Sequence, residues 1–285
     1  MKRNIISMGI VTLLLIIINS IVTYKGLRDH RFFERYSFEV DKIFINKEYT
    51  RMVTSGFLHV SWIHLIVNML SLYFFSDALE MQMGLFKFLL IYFGSLLGGN
   101  IFSLIVHKNH GSYSAVGASG AVSGIIFAAI ALFPGFGISF FGIPFSVPAW
   151  LYGIAFVLYT IYGIRSSRDN IGHEAHLGGA LAGLIIAIIM EPSSLVYNYL
   201  TILIILIPSV IFIYIILTKP KFLYVDNNFH KEKNNFYSIE HKYNAEKVDA
   251  QRKVDMILEK IHRKGLGSLS KKEKEILDEY SRRGR

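Results

Sequence analysis

Ser114-Ala115-Val116-Gly117-Ala118-Ser119-Gly120-Ala121-Val122-Ser123-Gly124 opens an apolar run that carries no charge as far as Phe133. Apart from two valines every side chain in it is small, so a neighbouring helix can approach backbone to backbone. Gly120 and Gly124 form a small-xxx-small pair, which by itself says only that something packs tightly here.

The rest of the chain has the same apolar character. It has 285 residues, 52% of them hydrophobic, and no cysteine, with a mean hydropathy of +0.41. That is too apolar for one soluble domain, and several stretches approach the roughly 20 apolar residues that cross a bilayer. Charge-poor runs predict spans at 5–24, 58–79, 85–106, 115–133, 148–164, 174–190 and 198–217. The fold class is therefore an all-α polytopic membrane protein with a membrane domain over 1–218. Met1-Lys2-Arg3 followed by Ile5 to Ile18 imitates a signal peptide, but Asn19 to Lys25 offers no small-residue cleavage site. The stretch reads as an uncleaved first span. Lack of cysteine excludes disulfides and thiolate metal sites, so helix packing must supply the stability.

Two segments stand outside this pattern. Residues 25–57 mix charges with isolated apolar residues such as Phe32, Phe33, Phe38 and Phe44, which suits an ordered loop at the membrane interface. A loop of that length is a candidate wall or cap. From Lys219 onward there are 17 Lys/Arg against 11 Asp/Glu. The part over 219–246 reads as a polar linker. Over 247–285, Val254, Ile257, Leu258 and Ile261 recur at helical spacing, Gly265 and Gly267 stop a helix, and Ser270 with Glu273 forms a capping box ahead of Ile276, Leu277 and Tyr280. A small soluble helical hairpin is expected there.

Polar residues inside spans are costly and need a reason. In the second span His64 and Asn68 are four apart and share a face, whereas His59 lies about 140° around the helix from His64. In the sixth span His176, Gly179 and Gly183 fall on one stripe that could fit against the small residues around Ser119. Spans two, four and six run the same way if seven helices alternate in direction. Ser119 precedes Pro134 by 15 residues and His176 precedes Glu191 by 15, so each sits about 22 Å above its helix end at 1.5 Å per residue. His64 reaches a similar height if its helix ends near Glu80.

A serine hydroxyl is a poor nucleophile until a base takes its proton, and neutral histidine is the usual base. Ser119 and His176 have those types, and His64, Asn68 and the Ser119 backbone N–H could stabilise an oxyanion. Glu174 points about 200° away from His176, so a dyad is simpler than a triad. A metal reading of His59, His64, His173 and His176 lacks cysteine, a His-Glu-xx-His spacing and a carboxylate base on the same face.

These residues together resemble the rhomboid intramembrane serine proteases. The matching pieces are Arg51-Met52-Val53-Thr54, Phe57-Leu58-His59, His64-xxx-Asn68, Glu80-xxx-Gly84, Gly117-Ala118-Ser119-Gly120 and Gly172-xxx-His176-xx-Gly179. The resemblance covers about residues 45–190. It implies a six-helix core, here with a seventh span added, nucleophile Ser119, general base His176, and an oxyanion site that includes His64 and Asn68. His59, by the same resemblance, helps order the membrane-lying loop. Arg51, Glu80, Gly117, Gly120 and Gly179 are expected as structural residues near the site.

Neither cofactor nor metal is implied. The expected partners are transmembrane protein substrates and membrane lipids, the latter also suggested by a net charge of +9 without a nucleic-acid motif. The expected setting is the bacterial cytoplasmic membrane with the amino terminus inside. Ser123 departs from the aromatic residue that many members carry one turn after the serine, against the histidine, so another aromatic is needed there. Ser76 replaces a glycine that several members have four before the glutamate. A rhomboid-like protein that escorts membrane clients without cutting them is the alternative reading.

Overall fold

A computed structural model describes residues 9–133, 135, 137–139, 146–166 and 171–218. In the C-terminal part it describes 254, 257–258, 260–261, 268–270, 273–277 and 280. The chain divides into two compact units, Met1–Lys231 and Glu232–Arg285. The linker expected over 219–246 lies outside the described residues.

In the first unit α1 spans Ile10–Arg28, followed by α2 (His30–Tyr36), β1 (Phe38–Glu39), α3 (Val40–Phe44), α4 (Arg51–Thr54) and a 3-10 turn (Ser55–Phe57). Then come α5 (Trp62–Val106), β2 (Ser114–Ala115), α6 (Ser119–Leu132), β3 (Gly137–Ser139) and β4 (Ser146–Pro148). The unit continues with α7 (Ala149–Ser166), α8 (His173–Met190), α9 (Ser194–Tyr197) and α10 (Tyr199–Thr218). The four helices α1, α5, α8 and α10 are long and apolar enough to cross a membrane, and α6 and α7 are shorter apolar helices. The chain is an integral, multi-pass, all-α membrane protein.

The second and third expected spans form one 45-residue helix, α5, with a break at Gly84, whose φ is 73° and ψ 167°. A side chain at that φ would be strained, and glycine is not. The break turns α5 into a hairpin. His64, near its start, lies against Gly117, while His107, just after its end, lies against Glu174 at the start of α8. Both ends of α5 therefore meet the N-terminal ends of α6 and α8, and Gly84 lies at the opposite face.

Glu80, one turn before the break, anchors α1. Its carboxylate accepts the Val11 N–H at 2.9 Å, the Thr12 N–H at 3.0 Å and the Thr12 hydroxyl at 2.7 Å. The first turn of a helix has unsatisfied N–H groups and partial positive charge, so a buried carboxylate is well placed there.

The segment 25–57 is more structured than a loop. Helix α1 runs on to Arg28, Asp29 caps α2 by accepting the Phe32 N–H at 3.0 Å, and Phe38 and Ile43 are fully buried. Phe44, by contrast, is exposed. Arg51 latches the segment: its Nη1 donates to the carbonyls of Glu34 at 2.7 Å and Ser37 at 2.8 Å, and its Nε to Glu48 at 2.6 Å. The hydrogen bond from Arg51 holds the Glu48 carboxyl below the usual range.

Helices α5, α6 and α8 form the centre of the core, with buried Leu72, Tyr92, Ile125, Phe127, Ala180 and Leu184 among its members. Helix α6 starts at Ser119, later than the 115 expected. Ser114-Ala115 pairs instead with Phe38-Glu39 as an antiparallel ribbon, and Gly117 at φ 133° forbids a helical turn. At the other end Asn198 donates to the carbonyls of Ile130 at 2.6 Å and Ala131 at 3.1 Å, satisfying acceptors that the last turn leaves open.

In the second unit, helical positions fall at 254, 257–258, 260–261, 273–277 and 280. Val254, Ile257 and Leu269 are buried. Leu258, expected at the same helical spacing, is exposed. The capping box forms: Ser270 N–H donates to Glu273 at 2.7 Å, and Glu273 N–H to Ser270 Oγ at 3.3 Å.

Candidate active site

Ser119 is the first residue of α6. That helix has 14 residues and so rises about 21 Å, well short of a hydrocarbon core of about 30 Å. By itself it is too short to cross that core. Helix starts present unpaired N–H groups and positive partial charge, which is what a developing oxyanion needs.

Glycines fix how close α6 and α8 come. A Cβ added at Gly120 would lie 3.2 Å from the Ala175 carbonyl oxygen, and one added at Gly179 or Gly183 would overlap the backbone of Gly120 or Gly124. Ser119 adjoins Gly120 and His176 adjoins Ala175, so the backbones that carry the two candidate residues approach closely here. Their side chains do not hydrogen-bond to each other here, in keeping with the looser geometry common in unliganded sites.

His64 approaches from α5. A Cβ on Gly117 would lie 3.0 Å from His64 Nε2 and 3.6 Å from Ser119 Oγ, so both atoms border one small space that only glycine leaves open. His64 Nδ1 is buried without a partner. Asn68, one turn on, donates its amide to the His64 carbonyl at 2.9 Å. One of its two N–H groups is thus committed to its own helix, and the other remains as a donor.

His59 sits on the far side of His64, with ring centroids 4.9 Å apart. It accepts the Ala118 N–H on Nε2 at 3.4 Å, which leaves Nδ1 to donate to Thr23 Oγ1 at 2.9 Å; Thr23 in turn donates to the Phe57 carbonyl at 3.3 Å. His59 therefore ties α1 and the 3-10 turn to the residue preceding Ser119. The spacing of His59 gave no hint of Thr23, whose polar side chain within an apolar span was the available signal.

Phe156 on α7 supplies the ring that Ser123 does not. Its centroid is 6.2 Å from that of His176, with planes inclined by 33°, and Phe127 packs against its other side at 5.3 Å. Glu174 turns away, its Oε1 lying 3.3 Å from His107 Nε2. His173 packs under Tyr159 of α7, at 5.1 Å between centroids. Ser76 is buried, without a hydrogen-bond partner for its hydroxyl. Among the described residues no three His, Asp or Glu side chains converge on a point that could hold a metal.

Two residues expected near the site are elsewhere. Glu80 is 16 residues beyond His64 on one helix, about 24 Å away by helical rise, where it caps α1. Arg51 holds the segment between α2 and α4 rather than the candidate site. Gly117, Gly120 and Gly179 lie at the site, and each keeps a close approach open.

A family model described as the rhomboid domain matches residues 46–193, half of the chain. The chain belongs to the rhomboid family. RHOMBOID-like protein 12, mitochondrial, of Arabidopsis thaliana is 35% identical over 150 residues, 47% of this chain and 44% of that protein. Rhomboid protein 1, mitochondrial, of Saccharomyces cerevisiae is 30% identical over 158 residues, 54% of this chain and 45% of that protein. The Bacillus subtilis protein named "Putative rhomboid protease YdcA" is 40% identical over 80 residues, 28% of this chain and 39% of that protein. This rhomboid thus spans less than half the length of these relatives. Residues 237–283 match a second family model whose function is unknown.

Proposed function

We propose that this rhomboid is a serine endopeptidase that cleaves transmembrane segments of other proteins, using Ser119 as nucleophile and His176 as general base. The observation that supports the reading is the close approach of α6 and α8 at Gly120 and Ala175, the residues next to Ser119 and His176 in sequence. In the forward step Ser119 Oγ forms a bond to the scissile carbonyl carbon while its proton passes to His176. The oxyanion is held by the Ser119 N–H, the free N–H of Asn68 and His64, with the positive end of α6 behind them. His176 then gives its proton to the leaving amine, and a water, deprotonated by the same imidazole, releases the acyl group.

With Glu174 facing His107 rather than His176, the mechanism uses a dyad. The domain boundaries follow the same reading: a membrane unit to about residue 218, a linker to about 246 and a soluble helical tail. The setting is a bilayer; a bacterial cytoplasmic membrane is the one expected from the sequence, and the mitochondrial names of two relatives provide another.

Labelling by a fluorophosphonate in liposomes tests the assignment. The wild type is expected to be labelled and to cleave a reporter transmembrane substrate, while Ser119→Ala and His176→Ala do neither and stay folded. An unlabelled wild type would favour a protein that binds membrane clients without cutting them.

A further inference from the structure

Between Tyr24 and Tyr36 the chain leaves the membrane through the last turn of α1 and enters α2. Four cations stand here: Lys25, Arg28, Arg31 and Arg35, all exposed. Among the described residues no carboxylate lies within ion-pair distance of any of the four, although Asp29 and Glu34 are in the same stretch. Asp29 is occupied as the cap of α2, and Glu34 Oε1 lies 3.9 Å from His30 Nδ1.

Three of the cations rest on aromatic faces instead. Lys25 Nζ is 4.4 Å from the Phe32 ring centroid, the Arg28 guanidinium 4.3 Å from that of Tyr24, and the Arg35 guanidinium 5.7 Å from that of Tyr36. Such contacts orient a guanidinium or ammonium without neutralising it. Lys25, Arg28 and Arg35 also complement the carbonyl ends of α1 and α2, but a helix end carries only about half a negative charge, so most of the positive charge is left over.

The surroundings are those of a membrane interface. Tyr24 lies 6.4 Å from Trp62 between ring centroids, and both are exposed, as are Leu27 and Ile21 one turn or less along α1. Exposed Trp and Tyr at the end of an apolar helix mark headgroup depth. An anion bound here has its own apolar part beside Ile21 and the lipid-facing side of α1.

We propose that Lys25, Arg28, Arg31 and Arg35 form a docking surface for anionic phospholipid headgroups, on the same face of the membrane as Ser119. Charge complementarity selects the anion, and the adjoining exposed apolar helix selects a lipid over a soluble acid. The surface adjoins Thr23, which His59 links to Ala118 just before the N-terminus of α6. The proposal does not depend on catalysis.

Trp62 is a reporter within the surface. The full-length protein with Trp150→Phe, which leaves Trp62 as the one tryptophan, is placed in phosphatidylcholine bilayers that contain a fixed fraction of either brominated phosphatidylglycerol or brominated phosphatidylcholine. Trp62 fluorescence is expected to be quenched severalfold more by the anionic lipid, with the excess falling as salt is raised. Replacing the four cations with glutamine should abolish the excess, and Arg28→Lys, Arg31→Lys and Arg35→Lys together should retain it, which separates charge from misfolding. Equal quenching by the two lipids, or an excess that survives the glutamine variant in a folded protein, would overturn the proposal. Displacement of the excess by inorganic phosphate would also overturn it, in favour of a soluble anion.

Discussion

The ring of Phe156 on α7 lies 6.2 Å from the ring of His176 on α8, inclined by 33°. Ring pairs of this kind contribute about 0.5–1.5 kcal/mol beyond their burial. Phe156→Ala is therefore expected to slow reporter cleavage by roughly 2- to 12-fold through loss of His176 orientation, with Phe156→Tyr close to wild type. Turnover and the pH profile of labelling at Ser119 check this; an alanine variant with unchanged profile and rate would remove Phe156 from the site.

Glu80 accepts three hydrogen bonds from the first turn of α1. Bonds to a charged group contribute about 1.5–3 kcal/mol each, and they do not add in full. Glu80→Ala is expected to destabilise the membrane unit by about 3 kcal/mol or more, and Thr12→Val, which removes one of the three, by about 1.5 kcal/mol. Unfolding in mixed detergent measures both, and equal losses would contradict the ranking.

Gly179 faces the backbone of Gly120 with no room for a Cβ. Gly179→Ala should force α6 and α8 apart, at a cost of about 1–3 kcal/mol from overpacking, and should lower cleavage by misplacing Ser119 against His176. Gly84→Ala meets no neighbour within 4 Å and is strained only by its backbone conformation, at φ 73° and ψ 167°, by about 1–3 kcal/mol. It should therefore weaken folding while leaving the residual folded protein active. Activity per folded molecule distinguishes the two.

His59→Ala leaves the buried Ala118 N–H without its acceptor. An unpaired buried donor costs about 1–3 kcal/mol, and it sits one residue before Ser119. Loss of both stability and labelling is expected. Thr23→Val, which keeps Ala118 paired, should lower stability and spare most of the labelling, as a probe titration would show.

In the C-terminal unit Lys260 and the Ser270 N–H hold the Glu273 carboxyl down to about 2. A depressed carboxylate contributes stability above its unfolded value near 4.5 and loses it as pH falls through the folded value. The capping box should therefore weaken between about pH 4.5 and 2. Carboxyl carbon NMR of Glu273 should titrate near 2 in the wild type and closer to 4.5 in Lys260→Ala.

Much of this molecule could be read from one strand of text because a bilayer leaves few choices. Charge-poor runs had to be helices, since lipid cannot satisfy a bare backbone, and every expected span has a helix within a few residues of it. Ser119, His64 and His176 could be picked out because polar side chains in such runs are rare and expensive. Matched counts to the helix ends place Ser119 and His176 at one height in the sequence alone, and the capping box at Ser270 is visible as a local pattern.

Other features depend on residues distant in sequence, and no window along the chain contains them. Glu80, expected as a structural residue near the site, instead caps with its carboxylate a helix that starts 70 residues earlier. Arg51 proved to be a latch on carbonyls 14 and 17 residues before it. The aromatic support of His176 came from Phe156, on a helix whose rotation about its own axis no periodicity could set, because α7 is apolar on more than one face. Sequence alone determined which segments are apolar helices and which side chains are candidates for chemistry, since those are properties of composition and local spacing. Only the tertiary structure decided which of those side chains meet, because that depends on how closely glycine lets one backbone approach another.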